Sequence, residues 1–198
     1  MCSSDLNAIT DTADLALTPG VATVGNSVVT VSPTSITADG TSTATVTVQL
    51  RDANNNKLDA DLHTITFAAP SLGAISNIAY TSEGAYTATY TAGVVKGTET
   101  ITAKLDGNAI TDTADLALTP GVATVGNSVV TVLPTSITAD GTSTATVTVQ
   151  LRDANNNKLD ADLHTITFAT PSLGAISNIA YTSEGAYTAT YKIGRAHV

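Results

Sequence analysis

The chain has 198 residues, and 17 Asp or Glu against 8 Lys or Arg give it a formal net charge of −9. Such an acidic surface repels nucleic acid and anionic lipid, so neither is an expected partner. Cys2 is the one cysteine, which excludes an internal disulfide, and the sequence contains no apolar run of about 18 residues that would insert into a membrane.

Alternation of apolar and polar residues predicts β-strands from one end of the chain to the other, and no segment has a sustained helical period. In chain order, the strands predicted for one repeat lie at 28–31, 36–38, 43–50, 64–67, 86–91, 101–105 and 110–118. Asp112 is a polar residue on the apolar phase of the last strand. Turns are predicted at Asp39-Gly40, Asn54–Asn56, Ser82–Gly84 and Asp106-Gly107. About seven strands with one inward face predict an all-β fold, an immunoglobulin-like sandwich of two antiparallel sheets.

The strongest feature of the sequence is an internal repeat. Residues 7–90 recur as residues 108–191, at an offset of 101 residues. The two copies differ only where Ser32 becomes Leu133 and Ala69 becomes Thr170. This period is too long for common solenoid repeats and matches one independently folding immunoglobulin-type domain.

Turn-forming stretches that contain Pro and Gly set the predicted domain boundaries. We predict the last strand of a preceding domain plus a linker at 7–26, a complete domain at 27–119, a linker at 120–127 and a truncated second domain at 128–191. Residues 7–17 are identical to residues 108–118. They are therefore expected to add to the exposed edge of the second copy, within one chain or between chains.

The two ends of the chain, residues 1–6 and 192–198, are predicted to derive from a DNA adaptor. Codons can be chosen for Ile193–Val198 whose reverse complement encodes Met1–Asp5 from a GTG start. Both ends then fit opposite strands of one short DNA. On this interpretation the two segments are excluded from the prediction of the fold.

Several ordered motifs of the repeat are similar to those of a known family. They run through residues 35–48, 51–56, 65–67, 83–86 and 97–104. Together they resemble the bacterial Ig-like group 1 (Big-1) domains of invasin and intimin. Asn55-Asn56 departs from the Gly-Asn that the family often has there, which changes a turn and leaves the predicted fold intact.

The resemblance implies a non-enzymatic, adhesive or structural module of a bacterial cell-surface protein. In that family the repeats form a rod between an outer-membrane anchor and a receptor-binding tip, and there are no catalytic residues to transfer to this chain. The implied partners are neighbouring Ig-like domains of the same chain and a host surface protein or glycan. Two alternatives stay open: direct binding of a host protein or glycan by loops, and an accessory module of a secreted polysaccharide-degrading enzyme.

Acidic loops are the first candidates for a metal site. Asp52–Asn56 matches the first five positions of a calcium-binding helix-loop-helix, but Lys57 and His63 stand where Gly and a bidentate Glu are needed. A plain hairpin loop is therefore predicted. Carboxylates in predicted loops could also hold Ca²⁺ between domains, although solvated turn residues are the preferred interpretation. These carboxylates are Asp39, Asp52, Asp59, Asp61 and Asp106.

The remaining candidates favour structural roles, and no catalytic, cofactor-binding or metal-binding residue is predicted. His63 and its copy His164 have no suitably spaced partners for catalysis or metal binding. Tyr86 and Tyr90 could form a sugar platform, but their spacing places them on the inward face, where core packing is expected. Lysines could cross-link to Asn, although surface charge is the preferred interpretation. The lysines considered are Lys57, Lys96 and Lys104.

Overall fold

The structure is a computed structural model that describes residues 14–60, 62–161 and 164–195. We call residues 19–119 Repeat 1 and residues 120–195 Repeat 2. Both consist of β-strands and loops, in agreement with the predicted all-β fold. Nothing within the described ranges forms a helix with the length and apolar character needed to cross a membrane.

Repeat 1 folds as an immunoglobulin-like sandwich. Its strands are β1 (Val28–Ser32), β2 (Ser35–Thr37), β3 (Thr43–Gln49), β4 (Ile65–Phe67), β5 (Gly73–Ser82), β6 (Ala85–Ala92), β7 (Gly97–Ile101), β8 (Ala103–Leu105), β9 (Asn108–Ala109) and β10 (Ala114–Thr119). One sheet has the order β1-β3-β6-β5, and opposite it stand the sheets β2-β10-β7 and β4-β8-β9. Neighbouring strands are antiparallel except β2 and β10, which run parallel.

The core of Repeat 1 is built from the inward phase that the sequence predicts. On β3, Ala44, Val46 and Val48 are buried while the threonines between them face outward. On β6, Tyr86 and Tyr90 are buried in the same way. Full burial of a valine such as Val46 or Val48 stabilises the fold by about 1.5–3 kcal/mol. Many such contacts between the two layers hold the sandwich together.

Three parts of the sequence depart from the simple alternating pattern. β5 was not predicted, because a register shift between Ser76 and Ala79 and a positive φ at Asn77 interrupt its alternation. The segment 101–105, predicted as one strand, is divided between β7 and β8, which belong to different sheets. The segment 110–118 forms a strand only from Ala114 onward.

Asp112 explains why the last of these strands begins late. Its carboxylate lies before β10 and accepts a hydrogen bond of 2.9 Å from the backbone N–H of Val29 in β1. The polar residue on the apolar phase thus links the last strand segment of Repeat 1 to its first strand. Ala22 and Val24, which the sequence assigns to the linker, also pack against the core of Repeat 1.

Repeat 2 reproduces the first sheet of Repeat 1. Its strands are β11 (Val129–Leu133), β12 (Thr144–Gln150), β13 (Gly174–Ser183) and β14 (Ala186–Ile193). They pair in the order β11-β12-β14-β13. Lys192 and Ile193, from the segment with the predicted adaptor origin, extend β14.

Only part of the segment 7–17, which the sequence predicts as a strand, lies within the described residues. Residues 7–13 and Asp61 lie outside the described residues, and residues 14–17 form no strand. Leu15 and Leu17 are exposed to solvent.

Candidate functional site

The loop Asp153–Asn157 of Repeat 2, which we call the Asp153 loop, contacts the end of Repeat 1. Asn155 donates from Nδ2 to the carbonyl oxygen of Ala38 at 3.0 Å. Asn157 donates from Nδ2 to the carbonyl oxygen of Val94 at 2.9 Å, and its Oδ1 accepts from the N–H of Lys96 at 3.0 Å. The Lys96 ammonium also forms an ion pair with the Asp160 carboxylate. Together these contacts form a polar junction between the repeats.

Asp153 organises this loop from within. Its carboxylate accepts hydrogen bonds from the N–H groups of Gly121, Asn155 and Asn157 and from Asn157 Nδ2, at 2.8 to 3.0 Å. Burial acts to raise the pKa of Asp153, but these hydrogen bonds, led by the Asn157 side chain, outweigh it and lower the pKa. The carboxylate therefore stays ionised and fixes the Asn157 amide.

Each polar atom of the Asn157 side chain has a partner. One N–H of its amide group faces Asp153, the other faces the Val94 carbonyl, and the amide oxygen receives the Lys96 N–H. A side-chain amide that satisfies its donors and its acceptor can be buried without an unpaired polar group. Asn157 is accordingly only 9% exposed.

Repeat 1 contains the same loop without the neighbouring repeat. Asp52 accepts from the N–H groups of Gly20, Asn54 and Asn56 and from Asn56 Nδ2, at 2.8 to 3.0 Å. Hydrogen bonds, first from the Asn56 side chain and then from Gly20, lower the pKa of Asp52 to about 2. Asn55 has a φ of 69°, the left-handed conformation expected for an Asn-rich turn. The loop is thus formed before it meets a partner.

Asp52 corrects one prediction from the sequence. It was interpreted as a solvated turn residue, yet its side chain is buried. The N–H donors of the loop surround its carboxylate and occupy the oxygens that a cation would need. Among the described residues, no cluster of three or more His, Cys, Asp or Glu side chains is arranged to hold a metal ion.

The other acidic candidates organise separate turns or the junction. Asp39 accepts from the N–H groups of Thr41 and Ser42, and Ser42 is the leading cause of the lowered pKa of Asp39. The N–H of Thr64 and then the His63 ring lower the pKa of Asp106. Asp59 has its counterpart in Asp160, the residue paired with Lys96.

The histidine and tyrosine candidates lie in structural contacts. His63 Nδ1 is 2.8 Å from Asp106 Oδ2, and the His63 carbonyl accepts from the Tyr86 hydroxyl at 3.0 Å. His164 donates its backbone N–H to the Tyr187 hydroxyl. Tyr90 is buried and donates to Glu99. Burial, followed by the charge of Glu99, raises the pKa of Tyr90.

Two of the three lysine candidates, Lys57 and Lys96, form ion pairs. Lys57 pairs with Glu83, and its copy Lys158 pairs with Glu184. Lys96 lies at the junction. The prediction of surface charge therefore missed the bond that Lys96 makes between the repeats.

The junction residues Asn155 and Asn157 were not predicted as a functional pair. Their sequence signal is the Asp-Ala-Asn-Asn-Asn motif, which occurs at 52–56 and again at 153–157. Turn chemistry explains its backbone, and the sequence gives no indication of which loop of the other repeat it would meet.

Comparison with known proteins places the chain among bacterial Ig-like domains. A family model described as invasin, domain 3, matches residues 23–121 and again residues 124–196. The structure is similar to that of InvD from Yersinia pseudotuberculosis, with a TM-score of 0.65 and 32% identity over 83% of this chain and 48% of InvD. It is also similar to invasin, described as a bacterial integrin-binding protein, with a TM-score of 0.68 and 28% identity over 89% of this chain and 36% of invasin.

A third similar structure shares the fold. FdeC, an Escherichia coli adhesin, has a TM-score of 0.56 and 22% identity over 89% of this chain and 58% of FdeC. The search of curated proteins found no match. The chain spans about half of the InvD structure and about a third of the invasin structure.

These similarities confirm the tandem Ig-like fold and identify a surface-exposed repeat module of the adhesin type. Because the family model matches both repeats over most of the chain, the chain belongs to the invasin domain 3 family of bacterial Ig-like domains.

Proposed function

We propose that the chain is a spacer of a bacterial surface adhesin, and that the Asp153 loop sets the direction of one repeat relative to the next. The spacer holds a distal region that binds a host surface protein or glycan, and an outer-membrane anchor holds the other end of the rod. The domain boundaries predicted from the sequence, a complete domain at 27–119 followed by a truncated one at 128–191, are part of this proposal.

The observation that carries the proposal is the pair of hydrogen bonds between Asn157 and the segment Val94–Lys96. One side chain donates to a carbonyl and accepts from an N–H two residues further along. This two-point contact restricts rotation about the junction more than a single bond would. Asn155 adds a third bond on a different segment, at Ala38.

The strength of the junction suits a spacer. Hydrogen bonds contribute about 1 kcal/mol each, so three of them stabilise the docked orientation by roughly 3 kcal/mol. The exposed ion pair between Lys96 and Asp160 adds less than about 1 kcal/mol. Because the Asp153 loop is already ordered by Asp153, little conformational entropy is lost on docking.

The outer surface also supports a spacing role. Threonines cover the outward face of β3 and β6, where Thr45 pairs with Thr89 and Thr47 pairs with Thr87. The net charge of −9 favours solubility and discourages association between sheets. The inward tyrosines and the paired histidine serve packing, and we assign no catalytic role to the chain.

A replacement experiment in the full-length adhesin distinguishes spacing from direct binding. The two repeats are exchanged for an unrelated rigid Ig-like segment of equal length, and in a second strain they are deleted. We expect adhesion to host cells to be retained after the exchange and reduced after the deletion. Loss of adhesion after the equal-length exchange would overturn the spacer proposal and favour direct binding by the loops.

A further inference from the structure

We propose that Repeat 1 resists tension along the chain through contacts between its first segment, residues 24–38, and its last segment, residues 111–119. We call these contacts the end-segment clamp. The clamp consists of bonds inside Repeat 1, so it does not depend on the spacer function or on the Asp153 loop.

The chain enters and leaves Repeat 1 at opposite ends of the sandwich. β1 begins at Val28, which pairs with Gln49 at the end of β3. β10 ends at Thr119, whose carbonyl oxygen accepts from the N–H of Ala38, shortly before β3 begins. β3 therefore extends from the exit end to the entry end, whereas β1 and β10 run from the entry end to the exit end. A pull on the two ends of Repeat 1 acts along these strands.

Hydrogen bonds join the two segments over their whole length. From the entry end to the exit end, they run from the Thr111 N–H to the Val24 carbonyl (3.1 Å), from the Val29 N–H to the Asp112 carboxylate (2.9 Å), from the Ala117 N–H to the Thr34 carbonyl (2.9 Å) and from the Ala38 N–H to the Thr119 carbonyl (2.8 Å). Near the exit end, β2 and β10 also pair in parallel, a geometry in which the bonds are evenly spaced.

Tension along the chain loads these bonds in shear. The first segment is pulled towards the entry end and the last segment towards the exit end, so the two separate only when the bonds between them break together. A hairpin that is pulled open from one end instead loses its bonds one after another. β5 and β6 offer that second geometry, because Ala74 and Thr91 pair near the open end of their hairpin. Repeat 1 should therefore resist a pull along the chain better than a pull across this hairpin.

Buried leucines of β10 add resistance to sliding. Leu116 is completely buried, and Leu118 is 3% exposed and stands opposite Ile36 of β2. A slip of one residue along a strand turns its side chains to the other face of the sheet. Sliding would therefore remove both leucines from the core while the hydrogen bonds break.

Asp112 has a particular place in the clamp. β1 is an edge strand of its sheet, and β10 belongs to the opposite layer. The bond from the Val29 N–H to the Asp112 carboxylate connects β1 to the segment that leads into β10. Val29 is only 3% exposed, so its N–H depends on this acceptor. Asp112 thus transmits tension from the first strand directly to the last.

Single-molecule pulling on the full chain in two directions tests the clamp. In a Cys2→Ser background, DNA handles are attached through Val21→Cys/Val122→Cys or through Ala74→Cys/Thr91→Cys. Val21 and Val122 are exposed, equivalent linker positions 101 residues apart, so the first pair places Repeat 1 alone under tension. At one pulling rate, we expect the first pair to need a force roughly twofold higher or more. Equal forces in the two directions would overturn the proposal.

Variants of Asp112 separate the clamp from general stability. Forced unfolding reports the unfolding rate, which changes only when the altered contact breaks before the transition state. Asp112→Ala removes the bond to Val29, and we expect a lower force and an unfolding rate that rises roughly tenfold. Asp112→Asn keeps an acceptor oxygen and is expected to unfold at an intermediate force.

Gly84→Ala is the matched control for these variants. Gly84 lies in the turn between β5 and β6, away from the clamp, and an added Cβ would lie 2.8 Å from Leu58 Cβ. We expect this variant to lose stability in urea but to unfold at the same force as the unmodified chain when pulled through the linkers. An unchanged force in Asp112→Ala, or an equal drop in Gly84→Ala, would overturn the proposal.

Discussion

Asn157 is buried against the Val94 carbonyl, whereas Asn56, which holds the same place in an identical loop of Repeat 1, is exposed. Both side chains keep the same bond to their loop carboxylate, at 3.0 Å. The contact with the neighbouring repeat is thus added to a loop that is already in its docked form. Asn56 is therefore a matched reference for Asn157 in the same molecule.

The ion pair at the junction is expected to matter less than the amide contacts. Lys96→Ala removes the ammonium but leaves the backbone N–H that bonds to Asn157. We expect the docked orientation to lose less than about 1 kcal/mol of stability, and this loss to become smaller at high salt, which screens a solvent-exposed ion pair. Double electron-electron resonance measures the distribution of distances between spin labels on the two repeats. If Lys96→Ala broadened this distribution as much as Asn157→Ala does, the ranking would be contradicted.

Acid is expected to weaken the Asp52 loop. The folded state lowers the pKa of Asp52 from 3.8 to about 2, so ionised Asp52 stabilises the fold. This contribution is complete above about pH 4 and is lost as the pH falls towards about 2. At neutral pH the Asp52→Asn variant should have a lower Tm than the unmodified chain. As the pH falls from about 4 towards about 2, its Tm should decline less steeply. An unchanged slope in Asp52→Asn would contradict the assigned role.

Gly84 is expected to be harder to replace than Gly107, another turn glycine of Repeat 1. It has a φ of 69°, and an added Cβ would lie 2.8 Å from Leu58 Cβ. Gly84→Ala should therefore reduce the free energy of unfolding by about 2–3 kcal/mol. Gly107→Ala is the control, because Gly107 also has a positive φ but faces open space. Its expected cost is about 1 kcal/mol. Urea unfolding compares the two variants, and equal losses would argue against the Leu58 contact.

Glu99 is expected to hold the loop before β5. Its carboxylate accepts the N–H groups of Ser71 and Leu72 and the Tyr90 hydroxyl. Glu99→Ala leaves these donors buried without an acceptor, and we expect a loss of about 3 kcal/mol in urea unfolding. Tyr90→Phe removes only one donor and should cost about 1 kcal/mol. A smaller loss for Glu99→Ala than for Tyr90→Phe would refute this role.

The strands that alternate regularly could be predicted from the sequence, because one buried face enforces a period of two residues. β3 and β6 show this most clearly. β5 could not be predicted in the same way, since the bulge at Asn77 shifts its phase and both of its faces are largely exposed. Between β7 and β8 the chain passes from one sheet to another. This change of sheet depends on distant strands, so the local alternation of residues does not predict it.

The contacts at the junction could not be predicted from local sequence patterns, for a related reason. The motif at 153–157 predicts a turn, and Asn155 and Asn157 are common turn residues. Their role at the junction depends on carbonyl groups of Ala38 and Val94, which are more than 60 positions away in the chain. Asp153 likewise looks like a solvated turn residue until its N–H donors are located in space.

The distance between spin labels at Thr45→Cys and Thr146→Cys, in a Cys2→Ser background, tests the rigid junction most directly. Both threonines face outward at equivalent positions of β3 and β12. Double electron-electron resonance should give a narrow distance distribution, which Asn155→Ala/Asn157→Ala broadens and Asn54→Ala/Asn56→Ala leaves unchanged. A broad distribution in the unmodified loop, or the same width in both double variants, would contradict an orientation fixed by the Asp153 loop.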